Sequence, residues 1–351
     1  MTTPTRSNWM LYGAYGSTGR LILEEALRRG HRPVLAGRDG AQLAALSRET
    51  GLSTMQMSLD DEVALRTALS SVSAVLLAAG PFQLTGPKMR AACLDAGCSY
   101  LDVNGEIEDY SAALACDDQA RAVGIGIIAG VGYGVVFAEC LAGQVVARLP
   151  DATWLRLSLA TELGGRSRGA QLSAAATIAA GGREIHRGSL RKRALAFSSW
   201  RAPGTVAAGT NFAAAPLAEL LAVQRSTGVP NVVAGVPMSH ATALLMRIAG
   251  PLLGKLLKWQ AARAAPPAVA SKSFPAPDVP PSRIWAEAGN AKGERVAAML
   301  ETGEGYHAAA VAAVRAVELQ LKEPRAGALT PVQAFGTSFA LLVPGTRMKA
   351  L

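Results

Sequence analysis

Hydrophobic positions in the first 130 residues fall into short unbroken runs. WMLY at 9–12, PVLAG at 33–37 and the runs at 73–79, 100–103 and 126–129 are too short for helices, and TMQM at 54–57 reads as a further short strand. Such runs predict strands buried on both faces, as in a parallel sheet. Between them, apolar residues recur at helical spacing over 17 or 18 to 29, 41–49, 60–70, 86–97 and 109–123. Strand and helix therefore alternate six times. This is the pattern of a doubly wound α/β domain, which binds ligands at the carboxyl ends of its strands.

Past Gly130 the rhythm changes. Residues 153–160 alternate like a half-exposed strand, a glycine-rich loop leads into an alanine-rich helix at 170–180, and 282–288 and 295–301 read as strands joined by the turn GNAKG. A helix is predicted from 305 to about 321, and 262–282, with six prolines, as a loop or linker. The second part is expected to be α+β with antiparallel strands.

The first helix follows its strand through GAYGSTG, which places Gly13, Gly16 and Gly19 at GxxGxxG spacing. Gly13 can turn the chain out of the strand with φ > 0, Gly16 lets the backbone approach a pyrophosphate, and Gly19 allows close helix packing. A pyrophosphate would rest on the unpaired N–H groups at Ser17 and Thr18. The second strand ends in Arg38, where a carboxylate would favour a free ribose 2′-OH and an arginine accommodates a 2′-phosphate. The expected cofactor is NADP, although Asp39 stands beside the arginine.

Composition narrows the function classes. Half of the residues are hydrophobic, only 5% are aromatic, and the net charge is +9. That charge is uneven: residues 1–128 hold 11 Lys and Arg against 14 Asp and Glu, and the remainder holds 24 against 12. The densest basic run, 183–201, lacks interleaved aromatics, so it reads as a solvated face or hairpin before it reads as a landing site for a phosphorylated carrier, and no nucleic-acid partner is expected. Cys93, Cys98, Cys116 and Cys140 lack metal-ligand spacing and are expected to be reduced, buried thiols without a metal. No apolar leader precedes the first strand, so a cytoplasmic protein is expected. Residues 226–246 are uncharged but contain Pro230, Asn231, Pro237, Ser239 and His240, which argues against a spanning helix. The following MRIAGPLLGKLLKW reads as an amphipathic helix packed on its own domain, the other reading being peripheral membrane contact.

Several segments together resemble the saccharopine dehydrogenase-like oxidoreductases, including bacterial trans-acting enoyl reductases: GAYGSTG at 13–19, AGRD at 36–39, AGPFQLTG at 79–86, AACLDAGCSYLDVNGE at 91–106, GGRSRGA at 164–170, STGVPN at 226–231 and LTPVQAFG at 329–336. The resemblance implies a Rossmann-type domain over 1–130, an inserted α+β substrate or oligomerisation domain over 131–325, and a segment 326–351 returning to the first. It also implies hydride chemistry from a nicotinamide, with Gly13, Tyr15, Gly16, Ser17, Thr18, Gly19 and Arg38 at the adenosine and pyrophosphate end, and Gly80, Pro81, Phe82 and Gly105 along the nicotinamide. Where relatives carry GFDVVPTDCLA, this chain has Gly132 to Cys140 with Gly134 at the aspartate position, Phe137 at the proline position and Glu139 at a second aspartate.

Hydride reduction needs a proton donor. Tyr133 is the first candidate, with Glu106 and Glu139 behind it, while Phe137, Arg166 and Arg168 are the candidate substrate contacts. None of His31, His186, His240 and His307 stands in a catalytic setting. The sequence thus predicts an NADPH-dependent reductase of a C=C or C=N bond in a small, largely apolar metabolite or thioester of a specialised biosynthetic pathway, acting as a homo-oligomer. Loss of the acidic position at 134 motivates the alternative of a lapsed redox protein serving as a cyclase, isomerase or partner subunit.

Overall fold

The computed structural model describes residues 9–160, 178, 180–203, 210–263 and 281–351. The chain forms two compact units, one of Met1–Asn104, Glu108–Tyr133 and Tyr306–Gly336, the other of Gly105–Ile107, Gly134–Gly305 and Thr337–Leu351.

The first unit opens with β1 (Trp9–Tyr12), α1 (Ser17–Arg28), β2 (Val34–Gly37), α2 (Gly40–Thr50), β3 (Thr54–Gln56), α3 (Glu62–Leu69) and β4 (Ala74–Leu77). It continues with α4 (Phe82–Ala96), β5 (Ser99–Asp102), α5 (Ile107–Leu114), α6 (Asp117–Val123) and β6 (Gly126–Ile128). A late strand, β15 (Gly327–Ala328), pairs in parallel with β6. The sheet order is β15-β6-β5-β4-β1-β2-β3, with every pairing parallel. Chain order reverses between β1 and β4, the switch point at which open α/β sheets bind their ligands. β1, β4 and β5 are buried along their whole length, which is why β1 and β4 are apolar runs without alternation, while the polar Ser99 and Asp102 of β5 are held by hydrogen bonds.

Two predicted helices differ in extent. The helix expected at 86–97 starts at Phe82, because Pro81 takes the extended N-cap conformation and the helix follows at once. The one expected over 109–123 is divided into α5 and α6, with Cys116 as the N-cap of the second.

In the second unit α7 (Tyr133–Arg148) is followed by β7 (Trp154–Ala160), the hairpin β8 (Gly182–His186) and β9 (Ser189–Arg193), β10 (Ser199–Trp200) and β11 (Phe212–Ala214). Then come α8 (Glu219–Thr227), β12 (Val232–Pro237), α9 (His240–Arg263), β13 (Ser282–Gly289), β14 (Arg295–Thr302) and, near the end, β16 (Arg347–Ala350). The sheet runs β10-β11-β12-β7-β13-β14-β16, with β8 on β12 and β9 on β8. It is mixed, because β12 and β7 are parallel while the other pairs are antiparallel. Trp200, Phe212 and Trp285 fill its core, and the Trp200 indole donates to Ser158 Oγ at 2.7 Å.

The division between units differs from 1–130, 131–325 and 326–351. α10 (Gly305–Lys322) and α11 (Pro331–Phe335) fall with the first unit apart from Gly305, and residues 337–351 fall with the second because β16 extends its sheet beside β14. The basic run at 183–193 forms the β8–β9 hairpin. The alanine-rich stretch at 170–180 and the proline-rich one at 262–282 lie mostly outside the described residues. Cys93, Cys98, Cys116 and Cys140 are free thiols, with Cys116 alone of the four only partly buried. No described helix is long and apolar enough to cross a membrane. α9 packs Ala243 inward but leaves Leu244, Leu245, Ile248 and Leu252 exposed, so only one of its faces is covered among the described residues.

Candidate functional site

The turn between β1 and α1 is built around its glycines. Gly13 has φ +88°, and a Cβ there would lie 2.9 Å from that of Ala79. At Gly19 a Cβ would stand 2.1 Å from the Gly13 carbonyl oxygen, so the helix can approach the turn only with glycine there. Gly16 is the N-cap of α1 and has no side chain with which to cap it. Among the described residues the N–H groups of Ser17 and Thr18 have no backbone acceptor. A helix start with free donors and a bare approach is suited to a pyrophosphate.

Tyr15 ties this loop to the end of β2. Its ring lies over Gly37, where a Cβ would be 2.5 Å from Tyr15 Cε1, and its hydroxyl accepts from the N–H groups of Arg38 at 3.1 Å and Asp39 at 3.2 Å. The Arg38 side chain is exposed. Asp39 is committed elsewhere: its carboxylate caps α2, accepting from the backbone N–H and the side-chain amide of Gln42, both at 3.1 Å, and these bonds hold its pKa below the usual carboxylate range.

At the carboxyl ends of β4, β5 and β6 the first unit holds a buried polar network that sequence reading missed. Asp102, at the end of β5, accepts from the Tyr100 hydroxyl at 2.5 Å, the Asn104 N–H at 2.9 Å and the Gly130 N–H at 2.7 Å. Burial pushes Asp102 up to about 6, although these three donors favour its charged form. Beside it Arg90 and Asp109 form an ion pair at 2.6 Å whose side chains are 3% and 1% exposed, and the Asn104 amide donates to Asp109 at 2.8 Å. That pair crosses Gly86, where a Cβ would meet Asp109 Oδ2 at 2.6 Å and Arg90 Nη1 at 2.7 Å. The glycine closing AGPFQLTG is thus explained by an ion pair. Gly80, Pro81 and Phe82 form the turn from β4 into α4, where the Thr85 hydroxyl donates to the Ala79 carbonyl at 2.7 Å. A Cβ on Gly105 would meet nothing within 4 Å.

Three of the remaining candidates, Tyr133, Phe137 and Glu139, lie on α7. Tyr133 is its first residue and is buried, while Phe137 and Glu139 lie farther along it without exposed surface. Glu106 is buried and forms an antiparallel bridge with Leu217. Two residues on, Glu219 opens α8 with 5% exposure, and its Oε1 occupies the space above Gly134, where a Cβ would lie 2.1 Å away. Burial pushes the Glu219 carboxyl up to about 7. No sequence pattern marked Glu219. Arg166 and Arg168 lie outside the described residues. Of the histidines, His31 pairs with Glu318 at 2.9 Å and His186, His240 and His307 are exposed. Among the described residues no group of His, Cys, Asp and Glu could hold a metal ion.

Comparison with known proteins bears on the first unit and on the fold. A model of NAD(P)H-binding domains matches residues 13–99. A protein of Arabidopsis thaliana that carries the name saccharopine dehydrogenase-like oxidoreductase is 31% identical over 147 residues, covering 37% of this chain and 32% of the relative. One of Mycobacterium tuberculosis named a trans-acting enoyl reductase is 33% identical over 111 residues, 30% of this chain and 26% of its own. The matches thus span about a third or less of these relatives. Among solved structures, apo saccharopine dehydrogenase (L-Glu forming) from Saccharomyces cerevisiae superimposes with a TM-score of 0.63 at 11% identity, covering 98% of this chain and 99% of that one. Homospermidine synthase from Legionella pneumophila in complex with NAD gives 0.62 at 9% identity over 100% and 92%. These two similarities show the shared fold. The chain carries an NAD(P)H-binding domain and is a homologue of proteins named saccharopine dehydrogenase-like oxidoreductases and trans-acting enoyl reductases.

Proposed function

We propose that this chain is an NADPH-dependent reductase that adds a hydride and a proton across a C=C or C=N bond of a small, largely apolar metabolite, free or held as a thioester, in a specialised pathway. The observation that carries the reading is the uncapped start of α1 above a turn that admits only glycine at positions 13 and 19. The preference for the phosphorylated cofactor is supported by the division of labour after β2. Asp39 is occupied by the α2 cap, so an adenosine 2′ group would meet the exposed Arg38 instead of a free carboxylate.

When bound, the nicotinamide supplies the hydride. The chain's own residues hold the pyrophosphate at Gly16, Ser17 and Thr18, with Gly80, Pro81, Phe82 and Gly105 assigned to the nicotinamide side. The proton is assigned to Tyr133, with Glu106 and Glu139 behind it. Phe137, Arg166 and Arg168 are assigned to the substrate, and the active form is proposed to be a homo-oligomer.

The test is fluorescence titration with NADPH and NADH followed by NADPH oxidation with unsaturated acceptors. NADPH is expected to bind at least tenfold tighter than NADH, about 1.4 kcal/mol. Equal affinities would remove the 2′-phosphate contact, and failure to bind either nucleotide would overturn the reductase reading.

A further inference from the structure

We propose that α9 binds the surface of an anionic phospholipid bilayer: its outward apolar stripe enters the headgroup boundary, and the cations of the same helix and of the neighbouring hairpin hold it there. The proposal concerns the second unit alone and does not depend on the reductase reading.

The helix is apolar on two opposite faces, and only one of them is used. On the inner face Ala243 is buried, Met246 packs beside it on Ala196 and Ala213, and Leu195 lies against the buried Gly250. Arg247 Nη2 adds a bond to the Ala196 carbonyl at 2.7 Å. These contacts seat α9 on its own unit. On the outer face Leu244, Leu245, Ile248, Leu252 and Trp259 are 53% to 76% exposed. At 3.6 residues per turn these five positions fall within an arc of about 100°, turned away from 243, 246 and 250, and run for about 22 Å along the helix. Single exposed leucines are ordinary, whereas a continuous stripe of this length marks a surface that meets something apolar.

Charge decides what that is. Residues 240–263 carry Arg247, Lys255, Lys258 and Arg263 and no Asp or Glu. Leu195 and Ala196, on which the helix is seated, directly follow the β8–β9 hairpin, whose Arg187, Arg191 and Lys192 are exposed. A second copy docked stripe to stripe would set the cations of α9 against themselves in every register, because the helix has no acid to pair with them. An anionic bilayer accepts both features at once. Leucine and isoleucine enter the acyl boundary, the tryptophan sits at headgroup level, and lysine and arginine reach back to the phosphates. No described helix is long and apolar enough to cross a membrane, so α9 would lie in the plane of the interface.

The experiment is flotation of the full-length protein with vesicles of phosphatidylcholine alone and of phosphatidylcholine and phosphatidylglycerol in about equal amounts. Circular dichroism and sedimentation velocity establish fold and oligomeric state in each variant. Wild type is expected to bind the anionic vesicles at least about tenfold more strongly than the neutral ones, with the preference falling as salt rises. Leu244→Gln/Ile248→Gln/Leu252→Gln should lose at least about tenfold in binding to anionic vesicles. Lys255→Glu/Lys258→Glu, which leaves every apolar residue in place, should lose the anionic preference by about tenfold. Tryptophan emission should shift to the blue on vesicle binding, and Trp259→Phe should remove that shift. Wild type that does not float with anionic vesicles overturns the proposal. So does a folded triple variant that floats as wild type does, since the basic hairpin would then be sufficient, or an emission shift that survives in Trp259→Phe. A wild-type dimer that the triple variant dissociates assigns the stripe to a second copy and overturns it as well.

Discussion

The two ends of this candidate site are encoded in different ways. The pyrophosphate end, from β1 through α1 to Arg38, is made by about thirty contiguous residues, and its turn is shaped by Gly13 at φ +88° and by Gly19 packed on the Gly13 carbonyl. The end at β5 and β6 is assembled from Arg90, Asp102, Asn104 and Asp109, which come together only when separate segments of the first unit meet. A contiguous site tolerates change elsewhere in the chain. An assembled one couples chemistry to packing, because the charges that do the work are also buried charges that packing must hold.

The largest expected effect follows from that coupling. Asp109→Ala should leave the Arg90 guanidinium buried without its ion-pair partner and cost about 3–5 kcal/mol of unfolding free energy. Asp109→Ala in the presence of Arg90→Met should cost less than the single change, since no orphaned charge then remains. Urea unfolding measures both. Equal losses would show that Asp109 acts through Asn104 instead, to whose amide it is also bonded.

Next in size is the pH dependence of Glu219. Its pKa in the folded chain is raised from 4.5 to about 7, so the folded state keeps its proton where the unfolded state has lost it. Stability is then greatest below about 4.5 and falls as pH rises through 7, by about 3 kcal/mol at 1.36 kcal/mol per unit. Glu219→Gln should therefore gain stability relative to wild type between pH 4.5 and pH 8. Asp102 titrates in part of the same window in both proteins and cancels in the difference. A difference that does not change with pH would mean that the carboxyl ionises freely in the folded chain.

What the sequence made legible follows the same division. The alternation of strand and helix, the switch-point sheet, the φ of Gly13 and the close packing at Gly19 all come from local patterns and were expected from them. The helix α7 was not, because its buried residues surround it and leave no periodic polar face for reasoning from spacing to find. Nor could the parallel pairing of β12 with β7 be read, since their residues are some eighty apart and nothing local sets their register. The departure at Gly134 was visible as a missing acid. Its complement at Glu219 was not, as no spacing rule links positions 134 and 219.

A smaller effect separates the two ends by affinity. Gly16→Val should abolish NADPH binding in a folded protein, because its Cβ would meet only the Gly13 carbonyl at 3.3 Å and the rest of the side chain would fill the pyrophosphate approach. Gly19→Ala should instead reduce the fold itself, since its Cβ at 2.1 Å from the same oxygen forces α1 away from the turn. Calorimetric titration with circular dichroism distinguishes the two. Loss of fold in Gly16→Val would mean that the loop is a packing element before it is a binding one.

The smallest effect is also the most specific. Arg38→Ala should weaken NADPH by about tenfold, or 1.4 kcal/mol, and leave NADH unchanged, because only the 2′-phosphate is expected to engage the guanidinium. Asp39→Asn sharpens the comparison: an asparagine retains an oxygen for the Gln42 N–H and so keeps the α2 cap, while removing the carboxylate next to Arg38. If the cap alone occupies Asp39, this variant will not change the ratio of NADPH to NADH affinity by more than the electrostatic repulsion of one exposed charge, a factor of about two to three that salt diminishes. A large shift toward NADPH in Asp39→Asn would show that the aspartate competes with Arg38 for the adenosine ribose, and that the contiguous end of the site is tuned by two residues and not one.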